Sequence, residues 1–474
     1  MNRIIKSSLL LIAIFFSLSA CGDSGNISFE KEVVLDTKDM NVDGCGDIGP
    51  FTVSYNFDDY LTFEDTPNIE KAKVSLLFSA NINLYTKVKI DDSAFSPSKL
   101  DGYYDLFTYF GFTDIDEKLI KFNTDSTDLS KIQIGHRFAK RGGKKYDVIF
   151  CAIIDSGILD GWESNFHIGY DDQSYYEKTG EHPEWTEKDN HKGFDVTANR
   201  CVTTIEQYLL SKKERKTQQI LYIFGHSRGG AVSNLVAKKM IDKGYETCAY
   251  AAAAPQTTTS SDYSNPKYNH IFNYVNDVDA ICNMPPKELA FKRFGQEIHF
   301  DVRNYKESFK TYVGIDLPEI SDTNPISRIL SASCSKREDL YKLDENLIIT
   351  QPKTLADQEA ADEYIQEQKD KFRGSFKSLQ GLIGFKQTTT SGNKISVTVI
   401  TCPAMVAHLL GCGIAAYGLS ASAFTTIFVQ YYSVVSAFTS LAGYSSPIQV
   451  RDEFDTQSFM FCHFYQSYVA YYCA

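Results

Sequence analysis

Apolar positions along this chain fall into two rhythms. Near-continuous apolar runs mark buried strands: Tyr146 to Ile154, introduced by Gly142-Gly143, then Ile220 to Phe224. Cys248 to Ala254 is a third, stopped by Pro255, and Asn269 to Val275 a fourth, ending at Asn276-Asp277. Between them the spacing becomes helical. Phe194, Ala198, Cys201, Ile205 and Leu209 form one stripe; Val232, Leu235, Val236 and Met240 form another. Upstream, Val74, Leu77, Phe78 and Ile82 predict an amphipathic helix over Lys71 to Ile82, and Tyr104 to Phe112 predicts a second, ending near Gly111. Strands alternating with helices predict an α/β fold with a mainly parallel sheet covered on both faces.

Some stretches leave this pattern. Residues 170–190 are polar, aromatic and loop-like. Lys353 to Lys377 is highly charged and reads as an exposed helix. From Ile395 to Val450 there is no Asp, Glu, Lys or Arg, and the segment reads as a pair of apolar helices. A buried hairpin of the same domain, a lid or lipid-facing patch, and a membrane hairpin all fit that composition. At the N-terminus, Arg3 and Lys6 precede an apolar stretch, Ser7 to Phe16, too short for a stable span. Leu18-Ser19-Ala20-Cys21 follows and resembles a bacterial lipobox, with lipid on the Cys21 thiol; an ordinary signal peptide is the alternative. Residues 1–20 are thus expected to be a lipoprotein signal peptide. Gly- and Asp-rich residues 21–50 are expected to be a tether, and residues 51–474 the folded domain.

Composition adds limits rather than a class. The 474 residues are 43% hydrophobic and 23% charged, which is ordinary for a folded chain. A net charge of -12 argues against a nucleic-acid partner and gives no attraction to anionic membranes. Of 11 cysteines, setting Cys21 aside leaves an even number, so an exported chain has disulfides open to it; Cys151, Cys201 and Cys248 also read as buried core thiols. Without a Cys-x-x-Cys pair or a His-Glu-x-x-His run, no metal site or cofactor is expected.

Candidate chemistry sits at the turn between the second strand and its helix, Gly225-His226-Ser227-Arg228-Gly229. The pattern Gly-x-Ser-x-Gly is short enough to arise by chance. A strand before it and a helix after it give it the form of a nucleophile elbow, in which the two glycines allow the tight turn that lifts the serine hydroxyl off the sheet. The helix start turns its N–H groups toward developing negative charge.

With the following Gly230-Ala231, this elbow resembles that of the class 3 lipases, a branch of the α/β hydrolases. Other stretches follow in the same order. Val148 to Gly157 resembles the strand leading into the family's oxyanion loop, and Trp162-Glu163-Ser164-Asn165-Phe166 the Trp and Asn after it. His191-Lys192-Gly193-Phe194 resembles the His-x-Gly-Phe start of a helix. Asn276-Asp277-Val278-Asp279-Ala280-Ile281-Cys282-Asn283-Met284-Pro285 resembles the family's Asp-x-Val-Pro-x-x-Pro segment. The likeness is good over residues 70–286, weak over the last dozen, and absent from 300–450. It implies an α/β-hydrolase core over about 70–300 and 451–474, interrupted by an insertion of about 304–450 that carries apolar helices. One departure stands out: where the family has Arg-Gly-Ser or Arg-Gly-Thr, this chain has Ile154-Asp155-Ser156. A carboxylate aimed at an oxyanion would oppose it, so Asp155 is expected to point away.

A serine hydroxyl needs an imidazole to take its proton and a carboxylate to orient that imidazole. The chain order expected of this fold is Ser, acid, His. Asp279 fits the strand end and the spacing to Pro285, with Asp277 as its rival. Among the later histidines, His299 alternates with Asp301 onto a polar face and His408 lies in the charge-free segment. His463 begins an apparent helix with Tyr468 at a spacing the family shows. His226 and His191 read as supporting residues. Expected oxyanion donors are the N–H groups of Arg228 and Ser156. The resulting expectation is a serine esterase of lipid esters such as acylglycerols, tethered outside the cytoplasm of a bacterial cell by Cys21 and touching the membrane through that anchor and the 395–450 segment. Two alternatives stay open: a surface lipoprotein that kept the fold and lost catalysis, and a hydrolase of non-lipid acyl groups.

Overall fold

The computed structural model describes residues 25–40, 46–83, 85–90, 93–95, 102–121, 129–154, 164–166, 187–212, 217–285, 290–320, 353–375, 383–390, 394–401 and 461–474. The chain begins with β1 (Ser28–Asp36) and β2 (Asp47–Asn56), followed by α1 (Ile69–Ile82), β3 (Lys87–Ile90), β4 (Ser93–Phe95) and α2 (Gly102–Tyr109). Next come β5 (Thr113–Lys121), β6 (Leu129–Arg141), β7 (Lys144–Ile153), α3 (Lys192–Lys212), β8 (Thr217–His226), α4 (Arg228–Asp242) and β9 (Glu246–Ala252). β10 (Ile271–Asn276), β11 (Gln296–Phe300) and α5 (Lys306–Val313) close the main body, joined at the C-terminus by α7 (Tyr465–Tyr472). Between them lie β12 (Lys353–Leu355), α6 (Gln358–Ser375), β13 (Ile383–Thr389) and β14 (Ile395–Thr401).

The central sheet has seven strands in the order β11-β10-β9-β8-β7-β6-β5. β7 to β11 pair in parallel, while β5 and β6 extend the sheet antiparallel. The fold is that of an α/β hydrolase. Alternation of side chains divides the middle strands between two cores. Val148, Phe150, Ala152, Ile220, Tyr222 and Phe224 face one side, packed with α1 and α7. Ile149, Cys151, Ile153, Leu221 and Ile223 face the other, packed with α3 and α4. Both faces being dry explains why these strands read as unbroken apolar runs.

Four readings are corrected by the structure. The stretch 21–50 is not all tether: β1 and the start of β2 lie in it, paired antiparallel from Ser28–Asn56 to Asp36–Asp47. Alternation sends Val33 and Leu35 into the core at 1% and 0% exposure, a signal that the Gly/Asp composition masks. Helix α1 is not amphipathic, because it is buried nearly all round, Lys71, Ser75, Ser79 and Asn81 included. Residues 395–401 are a strand rather than a helix: Ile395 to Thr401 alternates and is rich in β-branched residues, and it pairs with both β12 and β13. The main body also runs on past residue 304, where an insertion was expected to begin. α5 packs on α7, with Phe309 fully buried 5.5 Å from the Phe461 ring and Ser308 Oγ donating to Ala470 O at 2.6 Å.

Strands β12, β14 and β13 form a sheet of their own, on which α6 buries Ala361 and Ile365 against Ile395 and Val397. Most of the segment 170–190 and residues 402–450 lie outside the described residues. Among the described residues no helix is long and apolar enough to cross a membrane, and Cys151, Cys201, Cys248, Cys282 and Cys473 are free thiols.

Candidate active site

Ser227 stands between β8 and α4 with φ 55° and ψ −128°, a conformation that costs an L-residue about 1–3 kcal/mol. Two contacts hold it there. Its N–H donates to Ala252 O at the end of β9 (2.9 Å), and its carbonyl accepts from Ala231 N (3.0 Å). The flanking glycines are required by close approach. A Cβ on Gly225 would lie 2.2 Å from Gly229 O, and one on Gly229 would lie 2.3 Å from Ile153 O. Strand, turn and helix are therefore locked backbone to backbone, and the hydroxyl is the group left projecting.

His463 reaches the hydroxyl from the far end of the chain. Its Nε2 lies 2.8 Å from Ser227 Oγ and its Nδ1 lies 2.8 Å from Asp279 Oδ2. The carboxylate accepts from Nδ1–H, so Nε2 presents its lone pair and the serine hydroxyl donates to it. The backbone carrying His463 is held from two directions. His226 Nε2 donates to His463 O at 2.9 Å, and Asn276, at the end of β10, donates through Nδ2 to Cys462 O at 2.8 Å. The ring is only 4% exposed as a residue, so little water competes for these bonds.

Asp279 is fully buried on the turn after β10. Its Oδ1 accepts from Ile281 N at 2.8 Å; Oδ2 takes His463 Nδ1–H and also the Cys282 thiol at 3.2 Å. The turn is closed by Asp279 N donating to Asn276 O (2.9 Å) and by Asn283 Nδ2 donating to Asp279 O (3.0 Å). Arg293 braces it from behind, donating to Cys282 O and, at 2.8 Å, to Ala254 O. Burial, then the charge on Asp279, push the Cys282 thiol well above its ordinary range, so it stays protonated.

Of the sequence candidates, Ser227, His463 and Asp279 come together in space. Asp277 does not join them: half exposed, it accepts instead from His299 Nδ1 at 2.6 Å, and His299 Nε2 bonds Glu297 at 3.0 Å. Arg228 opens α4 directly after the serine, and its buried guanidinium donates to Leu129 O at 3.2 Å. Ser156, Asp155, His408 and Cys21 lie outside the described residues. β7 nevertheless delivers the chain to the site, since Ile153 stands opposite Gly225 in the parallel register. His191 acts in support, stacking on Phe194 with ring centroids 3.8 Å apart and donating through Nε2 to Asn165 O at 3.1 Å. Sequence reasoning missed Asn276, Cys282 and Arg293. Asn276 alone carried a signal, as a polar residue at the mouth of an apolar run. Among the described residues no cluster of His, Cys, Asp or Glu forms a metal site.

Residues 165–289 match the family model described as Lipase (class 3). No curated protein matches the chain by sequence. Three solved structures are similar at low identity. The Rhizomucor miehei lipase–propeptide complex is 18% identical, covering 49% of this chain and 68% of that one at a TM-score of 0.30. The mono- and diacylglycerol lipase of Aspergillus oryzae is 16% identical, with 49% and 79% covered at 0.34. A mutant form of MDLA from Penicillium cyclopium is 14% identical, with 49% and 81% covered at 0.32. At such scores the likeness decides neither substrate nor mechanism. The matched segment spans the elbow and the Asp279 turn, and it supports the class 3 lipase family and a carboxylic ester hydrolase.

Proposed function

We propose that this chain is a serine hydrolase of lipid esters such as acylglycerols, working through an acyl-enzyme. Ser227 Oγ attacks the acyl carbonyl while His463 Nε2 takes the hydroxyl proton. Asp279 keeps the imidazole in the required tautomer and stabilises its charge. The oxyanion is met by the Arg228 N–H at the start of α4 and by the N–H of Ser156. Collapse of the tetrahedral species passes the proton from His463 to the leaving alcohol. A water molecule then repeats the sequence and releases the acid.

One observation carries the reading. The hydroxyl, imidazole and carboxylate form an unbroken chain with both links at 2.8 Å, in a buried setting, on a strained serine. The lipid-ester class is supported by the family match over residues 165–289. A fluorophosphonate probe and an acylglycerol emulsion test both parts. The full-length protein is expected to be labelled and to release fatty acid, and Ser227→Ala to lose both. Full esterase activity in Ser227→Ala, or peptide or thioester turnover exceeding that of lipid esters, would overturn the reading.

The proposal includes a lipid anchor on Cys21 that holds the enzyme at a membrane of the bacterial envelope. Since β1 begins at Ser28, the link between anchor and folded body is short, roughly 20 Å when extended. Radiolabelled fatty acid incorporated by the wild type and not by Cys21→Ala is the expected result; equal incorporation, or none in either, would refute the anchor.

A further inference from the structure

We propose that Cys282 is a positioning residue of the relay, its thiol donating to Asp279 Oδ2 and limiting how strongly that carboxylate draws on the His463 imidazole. The inference rests on the triad reading above. Oδ2 is shared, with His463 Nδ1 at 2.8 Å and Cys282 Sγ at 3.2 Å, while Oδ1 is taken by Ile281 N. A carboxylate has no proton to give, so the thiol is the donor. Behind it, the Tyr468 hydroxyl lies 3.7 Å from Sγ and donates to the sulfur. Cys282, Tyr468 and Asp279 are 1%, 0% and 0% exposed, so bulk solvent does not reach this line.

The sulfur is placed independently of the carboxylate. Arg293 fixes the Cys282 carbonyl, and Tyr468 is carried on α7, which begins two residues after His463. The line therefore runs Tyr468, Cys282, Asp279, His463, Ser227, with a polar hydrogen at each step. A second donor on Oδ2 withdraws charge from the oxygen that stabilises the imidazolium. Removing it returns that charge to the oxygen facing Nδ1, which favours the charged form of the ring over the neutral base. In the Asp-x-Val-Pro-x-x-Pro pattern that this turn resembles, the first Pro stands where this chain has Cys282, and a proline side chain offers no donor.

The test is the pH dependence of kcat/KM, followed by pH-stat on a soluble short-chain ester with the full-length protein. Cys282→Ala is expected to move the acid limb up by about 0.5 pH unit. Cys282→Ser, which restores a donor, should return it to within about 0.2 unit of the wild type. Cys282→Val fills the space without a donor and replaces Ala if that variant does not fold. An acid limb within about 0.1 unit of the wild type in the donorless variant, or a Ser variant displaced as far as Ala, overturns the proposal. Ser227→Ala run alongside separates the two readings. Its loss of turnover with an unshifted Cys282→Ala limb refutes the thiol's role alone, whereas its retained turnover refutes the relay.

Discussion

Asp279→Asn perturbs the relay at its most constrained member, and the structure fixes what the amide does there. Two orientations are open to it. If the amide oxygen keeps facing His463 and Cys282, its NH2 meets the Ile281 N–H, a buried donor–donor contact costing about 1–3 kcal/mol. If it flips, the oxygen accepts from Ile281 N and the NH2 donates to His463 Nδ1 once the imidazole changes tautomer, and only the weak Cys282 S–H donor loses its acceptor. The second arrangement wins. It puts a hydrogen on Nε2, 2.8 Å from Ser227 Oγ, so the general base is lost although the geometry survives. The expected fall in kcat/KM is about 10³–10⁴-fold, or roughly 4–5.5 kcal/mol of transition-state stabilisation. Stability should change by only about 1 kcal/mol, because the one buried donor left without an acceptor is the weak Cys282 thiol. Asp277→Asn is the control: its carboxylate is half exposed and faces His299, so kcat/KM should stay within about threefold. Steady-state kinetics on a soluble ester, with thermal unfolding of each variant, read both quantities. Asp279→Asn retaining more than about a tenth of wild-type kcat/KM, or Asp277→Asn falling as far, would refute the reasoning.

Two more outcomes follow from the same contacts. Gly229→Ala would bring a Cβ within 2.3 Å of Ile153 O and 2.8 Å of Ile154 O, backbone atoms at the end of β7 that cannot turn aside. A loss of about 3 kcal/mol is expected from denaturant unfolding, and an unmoved midpoint would contradict the packing argument. His299 is held with a raised pKa: burial works against the charged ring, but hydrogen bonds to Asp277 and Glu297 outweigh it. Its contribution to stability is thus fully present below the ordinary histidine value and lost as pH rises through the raised one. Denaturation of wild type and His299→Gln across pH should show a difference at acid pH that closes toward alkaline pH; the opposite trend would refute the sign.

How far the sequence could be read depended on the range of the interactions involved. The elbow was legible because everything it needs is consecutive: an apolar run, Gly225, Ser227, Gly229, then a helical stripe. The parallel core was legible because strands buried on both faces lack polar positions. β1 was missed because composition was read over a long stretch while the structure uses alternation at Val33 and Leu35. β5 and β6 were missed because they sit toward the sheet edge, where residues such as Lys118 and Lys140 dilute the pattern. α1 was misjudged as half exposed since nothing local announces that more of the chain will cover its polar side. Asn276 and Arg293 matter through carbonyls that lie far along the chain, and Cys282 through a carboxylate whose inward turn only the packing decides.

By itself the sequence determined the α/β layering and the form of the turn at Ser227, since hydrophobic periodicity and glycine sterics act within a few residues. Tertiary structure alone decided the company that the serine keeps. His463 follows it by 236 positions, and no local preference encodes a contact of that separation. It arises because α7 buries its tyrosines against β10 and α1, with His226 and Asn276 catching the backbone on either side. The same packing turns Asp279 inward and leaves Asp277 in solvent, a choice between two carboxylates two residues apart that burial and hydrogen bonding make and spacing does not.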